Sequence, residues 1–511
     1  MTDVAPAENP RPMAFSSARP VRGRAGRLVT RPFVAALCAL LAAGLLVAGG
    51  LLLAPVPVSV MASASQEPIG STELVCPVTT ATVDRTSRVV AGVAPVASVT
   101  GGIATLADLV RGALPTRPVS IAAAGDTASR VVLAKSGPPV FARATGSFAI
   151  GLGADQVTLS RRGSSRGLAA APCGRPITDG WLVGAGSTLG RVTTVMLVNV
   201  DDQPAQVDLR VYGLAGEVVA PGGSGILVRG SSRSLVRLDA LAPDQVITAI
   251  HVIARSGRVA ITALDSTTLG LVPRGMSLLP TTSLGTSLVI PLIPEGVDYA
   301  RLDLLSPDLD TTVSVQLLTP DGLITPSGLD QIDLQAGHVK MVQLGALLEG
   351  QATGVLITST EKVVAGAEIR FGTPATALEH DSTAPVPALT GPGIVVGLAA
   401  GTIAHTVGLS APAAAATVRL DLYVGGSTER TWSRTVTVPA GSVLPVAIPV
   451  RSSSPTSILV VTPVSGGPVY AARELLEPNL RGPLVALSPI YPIRTTTLVP
   501  AVVSLPGSSV R

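Results

Sequence analysis

Through most of the chain beyond about residue 180, apolar and polar positions alternate in short runs. QVDLRVYG (206–213), TVSVQLLT (312–319) and TVRLDLYV (417–424) each put every second side chain on an apolar face. That is the period of a strand with one side in a core and the other in water. Each run ends a longer block in which a first alternating segment and a polar or small-residue turn come before it. The blocks align with one another: TTVMLVNVDDQPAQVDLRVYGLAG (193–216), YARLDLLSPDLDTTVSVQLLTPDG (299–322) and AHTVGLSAPAAAATVRLDLYVGGS (404–427). Downstream, GILVRGSSRSLVRL (225–238), DQIDLQAGHVKMVQL (330–344) and RTVTVPAGSVLPVAI (434–448) each read as strand, tight Gly- or Ser-bearing turn and strand, with another hairpin-like pair after them.

Self-similarity at a fixed period decides the frame in which the rest is read. Leading segments DGWLVGAGST (179–188), TSLVIPLIPEG (286–296) and GPGIVVGLAAG (391–401) head three repeats, and ELVCPVTT (73–80) heads an earlier, degenerate one. A last echo, TTLVPAVVSLP (496–506), follows the fourth. The division is therefore 73–178, 179–285, 286–390 and 391–495 for β repeats 1 to 4, and 496–511 for a closing strand and tail. About seven short strands per repeat with turns between them predict an all-β chain of tandem immunoglobulin-like β-sandwich repeats. A β-propeller built from the same strands is the alternative. If each leading strand pairs with the sheet of the repeat before it, the copy at 496–506 covers an edge that the fourth repeat would otherwise leave open.

Ahead of the repeats, FVAALCALLAAGLLVAGGLLLAPVPVSV (33–60) carries no charge. About 20 apolar residues span a bilayer core, so 33–56 is expected to be a transmembrane helix and 57–72 a linker. Six arginines and two acids lie in 1–32, which accounts for the whole net charge of +4. Positive flanks stay cytoplasmic, so 1–32 is expected inside and the repeats outside the cell membrane, on a single-pass anchor. A cleaved signal peptide is the rival, with Ala62 and Ala64 as an Ala-x-Ala site, but the apolar run and its leader are both long for one. Cys38 falls in the span. Cys76 and Cys173 remain outside, and in an oxidising compartment they pair most simply with each other as a disulfide.

Beyond residue 32 the charges balance, and without Lys/Arg clusters the chain offers no footprint for nucleic acid. Charged residues are only 14% of the sequence, with 53 Gly and 43 Pro, so the surface must lean on Ser, Thr and Gly. The four histidines, His251, His338, His380 and His405, fall in separate strands and turns of the alignment, and none is expected to be catalytic. GAGSTLG (184–190) lacks the spacing of a phosphate loop. Acid pairs in VNVDDQPA (198–205) and LSPDLDTT (305–312) sit at equivalent turns where Asp caps its own backbone, and LSAPAAAA (409–416) has no acid there, which argues against a shared metal site. No catalytic, cofactor-binding or metal residue is expected. Trp181 and Trp432 are the possible ligand contacts, since exposed rings stack on sugar faces.

WLVGAGSTLGRVTTVMLVN (181–199), PAQVDLRVYG (204–213) and LDALAP (238–243), with a cysteine ahead of the Trp-Leu-Val-Gly stretch, resemble an uncharacterised family of actinobacterial membrane-anchored exported proteins, a domain of unknown function. The resemblance implies an envelope location and supplies no catalytic residues. It also implies, by association with envelope glycosyltransferase genes, a part in surface polysaccharide assembly. A non-enzymatic extracytoplasmic scaffold or interaction protein is therefore expected, its partners the membrane and other envelope proteins or glycan. A cell-wall or surface-glycan binding protein is the alternative.

Overall fold

In a computed structural model, residues 36–37, 39–45, 65–76, 85–96, 99, 101–110, 116–132, 137–163, 165–372, 379–398, 402–450 and 456–499 are described. The chain forms two compact units, 1–65 with 500–511, and 66–499. In the first, residues 36–37 and 39–45 are helical and exposed. The remainder of the expected span 33–56, the Arg-rich tail 1–32 and the end of the chain from 500 lie outside the described residues. Among the described residues no helix is long and apolar enough to cross a membrane.

Among its described residues the second unit is all-β and antiparallel, interrupted by short helical turns such as Phe148–Gly151, Leu238–Leu241 and Gly345–Leu348. Between residues 179 and 279 one sheet runs Asp179–Ala185, Thr248–Ser256, Ala205–Gly213, Gly216–Val218, and the other runs Ser232–Arg237, Arg191–Asn199, Ala260–Leu269, Val272–Leu279. In chain order these are the first, sixth, third and fourth strands, and the fifth, second, seventh and eighth. The same two orders recur in 71–172, 285–383 and 393–490, although the fourth position is split into two short pieces in the second and third repeats. In the third repeat the sixth and seventh strands fuse into the long Thr353–Phe371, which runs through both sheets.

Alternation in sequence becomes burial between the two sheets. Leu182, Leu209 and Ile250 from one sheet of the second repeat pack with Leu197, Ile261 and Ala263 from the other. Burying each such aliphatic side chain stabilises by about 1.5–3 kcal/mol relative to leaving it in water. The opposite faces are apolar too, and they meet the neighbouring repeats. Val75 and Phe141 of the first pack on Val198 and Ala260 of the second. Trp181, Val183 and Tyr212 of the second pack on Leu305 and Val364 of the third. The third shares a core with Val443, Ala472 and Leu487 of the fourth, and Val396, Tyr423 and Ile458 of the fourth pack on Val90 of the first. The row of repeats thus closes on itself.

Close approach at these junctions needs glycine. A Cβ at Gly366 would sit 2.9 Å from the Val183 carbonyl oxygen, and one at Gly153 would sit 2.5 Å from Ile394 Cγ2. At the middle of the ring the last strands of the repeats, Gly167–Pro172, Val272–Leu279, Glu379–Thr383 and Leu484–Ile490, pack against one another in a cycle.

Two expectations change. Each leading strand pairs inside its own repeat: Asp179–Ala185 with Thr248–Ser256, Gly285–Ile293 with Thr353–Phe371, and Gly393–Val396 with Ser457–Gly466. Its other edge is bridged by the connector that leaves its own repeat, at Val75–Gly174, Trp181–Thr282, Val289–Val386 and Gly393–Pro492. A repeat that covers its own edge needs no strand from the next. The final copy has a different partner, because Thr496–Val499 pairs with Ser65–Pro68, and Ile69 N–H donates to Thr495 O at 3.1 Å. Nor is there a clear propeller: a blade takes consecutive strands, whereas here the chain alternates between two sheets.

Candidate functional site

Two features concentrate polar chemistry. The first is a buried charge cluster between the second and third repeats. Alternation aims Arg191, Thr193 and Asp265 out of one sheet of the second repeat, and Arg301, Asp303 and Glu368 come from strands of the third. Arg191 donates to Asp265 through Nη2 at 2.8 Å, and its Nη1 lies 3.4 Å from Glu368. Thr193 Oγ1 donates to Asp265 at 2.6 Å. Arg301 donates to Asp303 at 2.8 Å and to Glu368 at 2.9 Å.

His380, on the third repeat's last strand, joins the cluster by donating Nε2–H to Asp265 at 3.2 Å. Its Nδ1 faces Thr267 Oγ1 at 2.8 Å and the Arg274 carbonyl at 3.2 Å. With acceptors at both nitrogens the ring is suited to carry two protons. Burial would lower its pKa, but Asp265 and Glu368 outweigh burial and hold it above the usual value. Burial likewise opposes ionisation of Asp265 and Glu368, yet Arg191 and its neighbours win. Asp265 lies far below the carboxylate range and Glu368 is pushed down to about 2. At Asp303 burial prevails over Arg301, raising it to about 6. All of these groups are buried, and together they bridge the second and third repeats.

The strand Glu379–Thr383 carries the same logic into the centre. Glu379 accepts from Leu168 N–H at 2.8 Å and from Arg166 at 3.4 Å, tying the third repeat to the first. Asp381 accepts from Leu487 N–H of the fourth, and Ser382 N–H donates to Ser277 Oγ of the second at 3.0 Å. Burial pushes Asp381 up to about 7 and holds Glu379 well above the usual range.

The second feature is a cavity of about 1150 Å³ at the middle of the ring, lined by the connectors that follow the last strand of every repeat, about 173–177, 281–285, 385–390 and 489–494. Thr281, Thr282, Ser283 and Thr390 offer hydroxyls, Tyr470 and Tyr491 rings, and Arg175 and Arg494 charge. Among the described residues no Asp or Glu lines it. Burial raises both tyrosines above their usual pKa, and Tyr491 donates its hydroxyl to Thr281 O at 3.4 Å. Burial first, and the charge of Arg494 second, push Arg175 down to about 10.

Residues 122–449, more than half of the chain, match the model of a family of unknown function (DUF5719). The chain belongs to that family. No curated protein and no solved structure matches it. The family match begins inside the first repeat and ends inside the fourth, so its core is the repeated all-β region.

The residues singled out in the sequence meet different fates. Cys76 and Cys173 are joined, with Cα atoms 4.4 Å apart, linking the leading strand of the first repeat to the connector after its last. Trp181 is 1% exposed, stacked on His251 at 4.1 Å between ring centres and tilted against Tyr212 at 5.6 Å. A ring sealed into the junction with the third repeat cannot stack on an external ligand, which corrects the expectation for Trp181. Trp432 is half-buried at the start of Trp432–Val438, against the fourth repeat's core. Among the described residues no group of His, Cys, Asp and Glu could hold a metal.

Arg175 and Arg494 were not visible as a pair. Each stands alone in a connector, CGRP (173–176) and YPIRT (491–495), and only alignment of the connectors after the last strands would have set them side by side.

Proposed function

We propose that the chain is a non-enzymatic, membrane-anchored extracytoplasmic scaffold or interaction protein of the cell envelope, its four repeats acting as immunoglobulin-like β-sandwich modules. One observation carries the reading: the strongest concentration of perturbed titratable groups, from Arg191 to His380, is sealed in a junction and holds two repeats together. Polar residues spent on adhesion suit a rigid platform. The apolar, charge-free run behind an Arg-rich leader supports the anchor and its orientation.

Cross-linking on intact cells, followed by purification of the full-length chain, tests this. Envelope proteins captured with the chain, and cleavage of the repeats by protease added outside the cells, are the expected results. Repeats that stay protected until the cells are lysed would refute it. A second reading, binding of cell-wall or surface glycan, draws on the half-exposed indole of Trp432. It predicts that Trp432→Ala abolishes retention on a surface-glycan resin, and unchanged retention removes that role.

A further inference from the structure

We propose that the central cavity is a binding site for an oxyanion, a phosphate or carboxylate group carried on a hydroxyl-rich body, held between Arg175 and Arg494. The argument stands apart from the scaffold reading and starts from the connectors. Their bridges to the leading strands fall at Gly174, Thr282, Val386 and Pro492, so the four segments enter the cavity in equivalent positions. Only the first and the last bring charge, Arg175 and Arg494. These two connectors belong to the first and fourth repeats, which are neighbours in the closed ring.

Two cations therefore face one cavity from one side. Among the described residues neither has a carboxylate within ion-pair distance, and the only side-chain partner of Arg175 is the Thr72 hydroxyl at a long 3.4 Å. Three other buried arginines are matched to acids, Arg191 to Asp265, Arg301 to Asp303 and Arg166 to Glu379, whereas Arg473 is sealed in the fold without a hydrogen-bond partner among the described residues and, unlike Arg175, does not line the cavity. A half-buried guanidinium that meets like charge and no acid is in a state that an anion would relieve, since a charge taken from water needs a partner. Guanidinium forks fit the planar or tetrahedral oxygens of carboxylate and phosphate.

The rest of the lining fits the body of such a ligand. The side-chain hydroxyls of Thr282 and Ser283 have no protein partner among the described residues and are free to bond ligand hydroxyls. Tyr470 and Tyr491 offer ring faces. The volume, about 1150 Å³, slightly exceeds the range of about 300–1,000 Å³ usual for small-molecule sites and leaves room for such a body.

Isothermal titration of the full-length chain with glucose 6-phosphate, glucuronic acid and glucose tests the proposal. Saturable binding of the phosphate or the carboxylate, weakened by salt and absent for glucose, is expected, and whichever acid binds identifies the group. Arg494→Gln and Arg175→Gln should each weaken it roughly tenfold. Arg494 is exposed, so Arg494→Glu should spare the fold and abolish binding even if Arg175→Gln proves unstable. Equal binding of glucose, no binding of either acid, or affinity unchanged in Arg494→Glu would overturn the proposal.

Discussion

Replacing Asp265 with alanine is the sharpest perturbation of the junction between the second and third repeats. The carboxylate is fully buried and accepts from Arg191, Thr193 and His380. Without it Arg191 keeps one carboxylate contact, to Glu368 at 3.4 Å, beside its bonds to the Gly184 and Val246 carbonyls, and His380 Nε2 loses its acceptor. Breaking a buried ion pair by removing one member costs about 3–5 kcal/mol. The exposed pair Arg237–Asp239 is the control, where Arg237→Ala should cost less than about 1 kcal/mol. Urea unfolding read by Trp181 fluorescence suits the question, since the indole lies in the same junction.

The pH dependence has two arms. Asp265 is depressed, so its contribution is present above the ordinary carboxylate range and is lost as pH falls toward its own low value. His380 is raised, so its contribution is present below the ordinary imidazole value and is lost as pH rises through its elevated one. Wild-type junction stability should therefore crest in mildly acidic solution, and Asp265→Ala should flatten both arms. A loss no larger than that of Arg237→Ala, or an unchanged pH profile, would refute the reasoning.

Other outcomes follow from the same contacts. Asp381 is raised from 3.8 to about 7, so its stabilising contribution is lost as pH rises between those values. Asp381→Asn should gain on wild type from pH 5 to pH 8, by at most roughly 3 kcal/mol, and a stability difference from wild type that is the same at both pH values would contradict this. Cys76→Ser should destabilise the first repeat by roughly 4–5 kcal/mol on the chain-entropy treatment of a 97-residue loop, seen as new protease cleavage within 71–172. Gly366→Val would force its side chain against the Val183 carbonyl and should loosen the junction by about 1–3 kcal/mol, measured as lost amide protection in Asp179–Ala185.

Strands were legible because a half-buried strand writes its geometry into alternate positions. QVDLRVYG, TVSVQLLT and TVRLDLYV lie within Ala205–Gly213, Thr311–Thr319 and Ala416–Val424, and the cysteine pairing followed from there being only two candidates. Pairing of the leading strands was not legible, since the pattern of LVIPLI says which side is buried and not which strand lies alongside. For the same reason Trp181 read as a surface ring: its outward face is outward only within its own repeat, and the next repeat covers it. The run EHDST (379–383) does carry a hint of the central strand, because three titratable residues in a row on a short strand need partners from several directions.

The central claim, that the repeats close on one another around a common cavity, is tested most directly by small-angle X-ray scattering from the fragment 66–499. A closed unit of this length predicts a radius of gyration of about 22 Å. A value well above this, as for repeats strung in an open row, would contradict it.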